Sequence, residues 1–262
     1  MTMAQWDDLA PRVFSAIGML AVGAFAIMQG GTVFIVLLAA ICGLMAWELA
    51  RMLQPEGKAA ALQLGALGAG AVLAAAYLPP AFSLPVVLAP ALVGLSLLKQ
   101  NRGVFIAYMP MIMLAGLGGI LLRLEHGVAW TLWLVAVVVV TDVAGYFAGR
   151  MIGGPKFWPR VSPKKTWSGT IAGWVGAAVV AVWFMLDLGA GPGLIGISVA
   201  LSMASQMGDI AESAIKRKMG VKDSSHLIPG HGGLLDRFDG MLGALMLFLI
   251  AGQLAGFPPG VE

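Results

Sequence analysis

Long apolar segments are the feature that most constrains this chain. Nine of them, separated by polar or glycine- and proline-containing connections of which only 148–169 and 208–240 are long, run approximately over residues 13–28, 32–50, 59–78, 81–98, 104–122, 128–147, 170–186, 194–207 and 241–257. A helix needs about 20 mostly apolar residues to cross the hydrocarbon core of a bilayer. We therefore predict an all-α polytopic integral membrane protein with about nine transmembrane helices.

The composition excludes the main alternatives to a membrane protein. Hydrophobic residues make up 59% of the 262 residues and charged residues 11%, whereas soluble domains have about 25% charged residues. The one cysteine, Cys42, can form no internal disulfide. A net charge of +3 is too small to indicate a nucleic-acid partner, so we expect the lipid bilayer and no nucleic acid.

The distribution of lysine and arginine predicts the orientation. With nine spans, fifteen of the sixteen cations fall on one side and only Arg123 on the other. Because cytoplasmic loops are rich in lysine and arginine, we expect a cytoplasmic amino terminus, a multi-pass inner-membrane location and a site that faces the cytoplasm. We divide the chain into an amino-terminal scaffold, 1–127, and a carboxyl-terminal catalytic half, 128–262, with cytoplasmic loops 148–169 and 208–240.

Asp142 is an ionisable residue inside a predicted span. It stands about six residues, or roughly 9 Å, from the cytoplasmic end of the sixth segment. An acid at that depth is costly and indicates function by default. The alternative is a structural ion pair with a basic residue of another helix.

The loop 148–169 combines positive charge with hydroxyl groups. It contains Ser162, Lys164, Lys165 and Thr166 just before a helix that we expect to begin near Thr170. Such groups, together with the amides of a helix start, favour phosphate binding. Cytoplasmic loops are also basic for topology alone, so this second interpretation stays open.

The segment 209–218 carries a polar stripe. Asp209, Glu212, Ser213 and Lys216 follow an i, i+3, i+4, i+7 spacing, which places them on one face of a helix. We therefore predict that the eighth helix continues beyond the membrane. Taken alone, a stripe of this kind is more often a solvated face than a site.

Residues 209–239 concentrate both signs of charge. They include four aspartates, one glutamate, two histidines and five basic residues. Carboxylates that hold Mg²⁺ beside cations that offset phosphate charge are typical of phosphoryl chemistry. The histidines have no cysteine or histidine partner at the usual spacing of zinc ligands, so we expect magnesium as the cofactor.

Residues between Ser213 and Asp239 resemble the signature of the phosphatidate cytidylyltransferases, also called CDP-diacylglycerol synthases. The similar residues are Ser213, Lys216, Arg217, Lys222, Asp223, Pro229, Gly230, His231, Gly232, Gly233, Leu234, Leu235, Asp236, Arg237, Phe238 and Asp239. The segments 141–150 and 162–166 are also similar to that family, and the resemblance covers the whole chain. One departure is Ser168, where the family pattern usually has an acidic residue.

The resemblance implies that CTP and phosphatidic acid react to give CDP-diacylglycerol and pyrophosphate with Mg²⁺. It implies Asp209 and Asp236 as principal metal ligands, with Asp223 and Asp239 as second candidates. We expect Lys216, Arg217, Lys222 and Arg237 to offset charge on the nucleotide. Lys164 and Lys165, with Ser162 and Thr166, would serve either substrate. Asp142 would support the site, and His231 with Gly232 and Gly233 would shape the loop.

Other functions stay open at this point. An enzyme of the same kind could use another lipid phosphate, such as an isoprenoid ether lipid. A CDP-alcohol phosphotransferase would need a D-G-x-x-A-R run, which the sequence lacks. A lipid transporter or scramblase would favour repeats and several polar residues at the midplane, where only Asp142 is found. The small residues Gly169 and Gly173 permit close helix contact, either in a homodimer or within one chain.

Overall fold

The computed structural model describes residues 9–255 and 257–259, with the side chains of residues 13–252 and 257–259. The side chain of Arg12, one of the predicted cytoplasmic cations, lies outside the described residues. The described part is predominantly helical. Its α-helices are α1 (Leu9–Gln29), α2 (Gly31–Leu53), α3 (Lys58–Ala75), α4 (Pro80–Leu97), α5 (Arg102–Leu121), α6 (Gly127–Met151), α7 (Trp167–Leu188), α8 (Gly193–Lys218) and α9 (Leu235–Ala255).

Each predicted apolar segment coincides with one of these helices. By length and composition, six helical stretches of the described residues could cross a membrane: Gly31–Leu53, Lys58–Ala75, Pro80–Leu97, Arg102–Met151, Trp167–Leu188 and Gly193–Lys218. The stretch Arg102–Met151 joins α5 and α6 through a π-helical turn, Leu122–His126. These helices support a polytopic membrane protein, while the count of about nine crossings and the orientation stay predictions.

The eighth helix continues as the polar stripe predicted. α8 runs unbroken from Gly193 to Lys218, so the stripe from Asp209 to Lys216 lies on its carboxyl-terminal half. The continuation of the helix is therefore confirmed, while its exit from the membrane stays a prediction.

A short β-hairpin is the main difference from the all-α prediction. Strand β1 (Lys156–Trp158) pairs antiparallel with β2 (Ser162–Thr166), with Lys156 opposite Thr166. The Phe157 and Trp167 rings meet edge to face with centroids 4.7 Å apart. Neither strand shows an alternating apolar pattern, so the sequence offered no strand signal here.

The chain forms two compact units. The first contains residues 1–120 and 218–238, and the second contains residues 121–217 and 239–262. The first break lies close to residue 127, where we divided the chain, but residues 218–238 group with the amino-terminal helices. The two-part organisation that we predicted for function stays a prediction.

The first unit is built on close helix packing. Its core includes the fully buried side chains of Leu49, Phe105 and Met109. α2 and α3 approach so closely at Gly43 that a β-carbon there would lie 2.8 Å from the carbonyl oxygen of Gly65. Small residues at this contact let the two backbones meet.

The second unit packs its helices in the same way. A β-carbon on Gly169 of α7 would lie 2.5 Å from the carbonyl oxygen of Gly145 on α6, and one on Gly173 would lie 3.0 Å from the Thr141 side chain. The Gly169 and Gly173 pair therefore serves internal packing in the described residues. Thr141 also donates a 2.8 Å hydrogen bond to Ser202 of α8, which ties three helices together.

The contact between α8 and α9 gives a testable prediction for the fold. A β-carbon on Gly243 would lie 2.1 Å from the carbonyl oxygen of Ala204. Gly243→Ala should therefore destabilise the protein by about 1–3 kcal/mol through overpacking, measured as a lower thermal unfolding midpoint in detergent. The control is Gly196→Ala on α8, since an added methyl group there meets no atom within 4 Å. Equal midpoints for the two variants would contradict the tight contact.

Candidate functional site

A cavity of about 510 Å³ opens within the second unit, lined by parts of α6, β2, α7 and α8. Its charged and hydroxyl lining includes Asp142, Tyr146, Arg150, Lys164, Lys165 and Asp209. The sequence singled out four of these residues as site candidates, and the fold of this unit brings them to one cavity. Tyr146 was not among the candidates, and Arg150 was counted only among the basic residues of the loop 148–169; the Arg150 guanidinium donates a 2.7 Å hydrogen bond to the Tyr146 hydroxyl.

An ion pair between Lys165 and Asp209 lies at the edge of this cavity. The Lys165 Nζ atom is 2.5 Å from Asp209 Oδ2. The Ser213 hydroxyl, one helical turn further along α8, donates a 3.2 Å hydrogen bond to Asp209 Oδ1. Both side chains of the ion pair are about a quarter exposed, so the pair is accessible to a ligand.

Asp239 carries a perturbed carboxyl group near the same acids. It lies two residues before the predicted ninth span begins at Met241. Removal from water, together with the nearby charge of Asp209, raises the pKa of Asp239 to about 7. Its Oδ1 atom accepts a 2.7 Å hydrogen bond from the amide of Gly240. The negative charges gathered here are suited to a cationic partner.

Thr166 connects the hairpin to α7. Its hydroxyl oxygen accepts a 3.2 Å hydrogen bond from the Gly169 amide, which makes Thr166 the N-cap of α7. The Ser168 hydroxyl lies 3.0 Å from the same oxygen and donates a 2.5 Å hydrogen bond to the Gly153 carbonyl. Ser168, which stands where the resembling family usually has an acid, thus ties the start of α7 to the segment before β1. α7 begins at Trp167, three residues before the predicted start.

The stripe on α8 is partly buried rather than solvated. Glu212 is fully buried, Lys216 is 9% exposed, and Lys216 Nζ lies 2.5 Å from Glu212 Oε2. Buried charges are tolerated when they are paired, which explains the i, i+4 spacing of these two residues. Arg217, the next cation, is exposed.

A second polar cluster lies in the first unit, on the segment between α8 and α9. Asp236 Oδ2 accepts three hydrogen bonds of 2.8 Å, from the amide and hydroxyl of Ser224 and from the amide of Gly233. Gly230 and Gly232 in this segment have positive φ angles of 73° and 80°, which glycine adopts more readily than other residues.

This segment also encloses a cavity of about 490 Å³. Its polar lining includes Lys222, Asp223, His226, His231 and Arg237. The Arg237 Nε atom donates a 2.8 Å hydrogen bond to the His231 carbonyl, and the His231 ring nitrogen Nδ1 lies 2.8 Å from the Ser15 hydroxyl of α1. Five polar side chains, four of them predicted site residues, therefore converge here as well.

Glu48 is another residue that was not among the predicted site residues. It is fully buried on α2 and accepts hydrogen bonds from Ser225, Leu234 and Leu235. The available signal was its position as the one acidic or basic residue inside the first five predicted spans. Nothing in the local sequence indicated that a segment almost 180 residues later would bind it.

The predicted site residues thus fall into two groups. The second unit holds Asp142, Ser162, Lys164, Lys165, Thr166, Asp209, Ser213, Lys216, Arg217 and Asp239, and the first holds Lys222, Asp223, His231, Gly232, Gly233, Asp236 and Arg237. Asp209 and Asp236 belong to different units, so their sharing of one metal stays a prediction.

The donor chemistry fits Mg²⁺. Within the described residues, no group of three or more histidine, cysteine, aspartate or glutamate side chains is placed to hold a metal ion. Mg²⁺ does not require such a group, because it is commonly bound by one or two carboxylates together with water and substrate phosphates. Asp209, partly exposed beside Lys165, provides an oxygen donor of this kind.

The Thr166 cap gives a prediction for this site. Thr166→Val should destabilise the protein by about 1 kcal/mol, because the Gly169 amide loses its acceptor. The measurement is the thermal unfolding midpoint, together with faster hydrogen exchange at Gly169. Thr166→Ser keeps the hydroxyl and serves as the control. Unchanged exchange at Gly169 in the valine variant would argue against the cap.

Comparison with known proteins agrees with these features. The sequence matches the Cytidylyltransferase family over residues 10–255. It is 49% identical over 135 residues to a phosphatidate cytidylyltransferase of Brucella suis biovar 1 (strain 1330), covering 50% of each chain. It is 40% identical over 129 residues to a phosphatidate cytidylyltransferase of Staphylococcus aureus (strain COL), covering 48% of this chain and 50% of the relative. In these comparisons the chain spans about half the length of the curated relatives that it matches. Because the family match extends over most of the chain, the protein belongs to the cytidylyltransferase family.

Proposed function

We propose that the protein is a phosphatidate cytidylyltransferase that transfers CMP from CTP to phosphatidic acid. A phosphate oxygen of the lipid attacks the α-phosphorus of CTP, the bond from that phosphorus to the β-phosphate oxygen breaks, and pyrophosphate leaves. CDP-diacylglycerol is the other product. The observation that carries the proposal is the accessible Lys165 and Asp209 pair, which lines a cavity of about 510 Å³ in a chain of this family.

The reaction needs positioning and charge compensation rather than a dedicated base. The phosphate of the lipid is already largely ionised at neutral pH and is itself the nucleophile. Catalysis then depends on aligning two anions and on stabilising the charge of the leaving group. In the second unit we assign charge compensation to Lys164, Lys165, Lys216 and Arg217, with Ser162 and Thr166 beside them. In the first unit we assign it to Lys222 and Arg237.

We propose Mg²⁺ as the cofactor, held principally by Asp209 and Asp236. Asp223 and Asp239 are second candidates. When bound, the ion supplies positive charge to the triphosphate and orients its oxygens. Asp142 supports the site from α6, and His231, Gly232 and Gly233 shape the loop. The oxygen-rich donor set and the partial exposure of Asp209 support this choice.

We further propose that the protein lies in the inner membrane with about nine crossings, a cytoplasmic amino terminus and a cytoplasmic site. The strong bias of lysine and arginine to one side supports this orientation. A site that faces the cytoplasm would also have access to CTP. Self-association into a homodimer is compatible with this arrangement.

The central experiment is pyrophosphate release by the detergent-solubilised protein. We expect release that requires CTP, Mg²⁺ and phosphatidic acid together, with CDP-diacylglycerol as the lipid product. A panel of other nucleotides and lipid phosphates, including an isoprenoid ether lipid phosphate, identifies the substrate class. If no lipid phosphate gives pyrophosphate release and the protein moves lipid across liposome membranes, the proposed enzymatic function is refuted and a transporter is favoured.

The metal assignment predicts the effect of removing each principal ligand. Asp209→Ala or Asp236→Ala should reduce CDP-diacylglycerol formation at least 1,000-fold, on the order of 4 kcal/mol of transition-state stabilisation, while the protein still accumulates in the membrane. The exposed Glu56, changed to Ala, is the control and should retain full activity. Near-normal turnover in either aspartate variant would refute its role as a ligand.

The Lys165 ion pair predicts a separate loss. Lys165→Met removes the cation next to Asp209 and should lower kcat/KM for CTP or for phosphatidic acid by 10- to 100-fold, equivalent to about 1.4–2.7 kcal/mol. The matched control is Lys99→Met, an exposed lysine between α4 and α5. The substrate whose kcat/KM changes identifies which phosphate Lys165 binds. An unchanged kcat/KM for both CTP and phosphatidic acid would refute a role of Lys165 in the site.

A further inference from the structure

The carboxyl group of Glu48 binds the start of another helix. Its Oε1 atom accepts a 2.6 Å hydrogen bond from the Ser225 hydroxyl and a 2.9 Å hydrogen bond from the Leu234 amide. Its Oε2 atom accepts a 2.7 Å hydrogen bond from the Leu235 amide. Glu48 is fully buried, so these three donors replace water around it.

The geometry is that of a helix cap supplied from a distant part of the chain. Leu234 immediately precedes α9, and its carbonyl accepts hydrogen bonds from the amides of Arg237 and Phe238. The first amides of a helix have no acceptor within the helix, and a leucine side chain at the cap position cannot accept hydrogen bonds from them. Glu48 accepts hydrogen bonds from two of these amides, and the partial positive charge of the helix start favours a carboxylate there.

A second carboxyl group, that of Asp236, binds the same segment. Asp236, in the first turn of α9, accepts from Ser224 and Gly233, while Glu48 accepts from the adjacent residues Ser225 and Leu234. At each end of the segment, therefore, one residue donates to Asp236 and the next residue donates to Glu48. The backbone at Gly233 is so close that a β-carbon there would lie 2.5 Å from Glu48 Oε1.

We propose that Glu48 is a positioning residue for the transfer reaction. By fixing the start of α9 and Ser225, it sets the placement of Asp236 and Arg237 and of the cavity wall that includes Lys222. This role rests on the proposed function, because only an active enzyme makes that placement matter for rate. It assigns to α2, which belongs to the predicted scaffold, a direct part in organising the site.

The test compares Glu48→Gln with the wild-type protein in two measurements. Glutamine has nearly the same size, but its amide group presents N–H donors where the carboxyl group presented an acceptor. We expect hydrogen exchange at the Leu234 and Leu235 amides to accelerate at least tenfold. We also expect the half-saturating concentration of CTP to rise at least fivefold, because Lys222 and Arg237 are no longer held in place.

The two measurements separate positioning from a general loss of folded protein. A smaller folded fraction lowers the maximal rate but leaves the half-saturating CTP concentration of the remaining enzyme unchanged. The exposed Glu56, changed to Gln, is the matched control and should alter neither quantity. Faster exchange at Leu234 and Leu235 with an unchanged half-saturating CTP concentration would overturn the positioning role, and so would unchanged exchange.

Ser225→Ala provides a milder second variant if the Glu48 variant fails to accumulate. It removes one of the three donors and keeps the acid, so we expect two- to fivefold changes in the same directions. No change in either quantity would overturn the proposal. If the wild-type protein releases no pyrophosphate, the proposed function fails, while the exchange measurement still decides whether Glu48 holds the start of α9.

Discussion

Each buried charged group in an apolar helical protein needs a partner, and this requirement organises both candidate clusters. Removing an acid or a base from water costs several kcal/mol unless hydrogen bonds or an opposite charge replace the solvent. Glu212 is fully buried beside Lys216, and Glu48 is fully buried beneath the amides of α9. Asp209 meets Lys165 where α8 passes the hairpin. Of these side chains, Lys165 and Lys216 are the ones to which we assign the compensation of phosphate charge.

Close contact between helix backbones is the second condition. Gly169 against Gly145, and Gly243 against Ala204, allow approaches that any side chain would prevent. In a bilayer, where the surroundings are as apolar as the helix surfaces, this kind of packing is a main source of helix association. It also brings polar groups of adjacent helices within hydrogen-bonding distance, as with Thr141 and Ser202. The same close helix contacts therefore both stabilise the fold and place the polar side chains.

Much of the local structure could be predicted because it depends on local pattern. Apolar segments of about the right length became helices, and the i, i+4 spacing of Glu212 and Lys216 led to a contact within α8. The glycines 230 and 232 took the positive φ angles that their residue type permits. The hairpin was missed because β1 and β2 have no alternating pattern, and the Phe157 and Trp167 contact beside it forms only in the folded chain.

By itself, the sequence determined the class of protein, the helices, the residue types of a phosphate-handling site and the family to which they are similar. The protein class, the helices and the residue types follow from composition and from patterns that extend over a few residues, whereas the family follows from the resemblance of its motifs to a known signature. Only the tertiary structure decided that Lys165 pairs with Asp209, that Thr166 caps α7, and that Glu48 binds the start of α9. The pairs formed by Lys165 and by Glu48 join residues 44 and 187 positions apart, and such partners are selected by how helices pack rather than by any pattern along the chain.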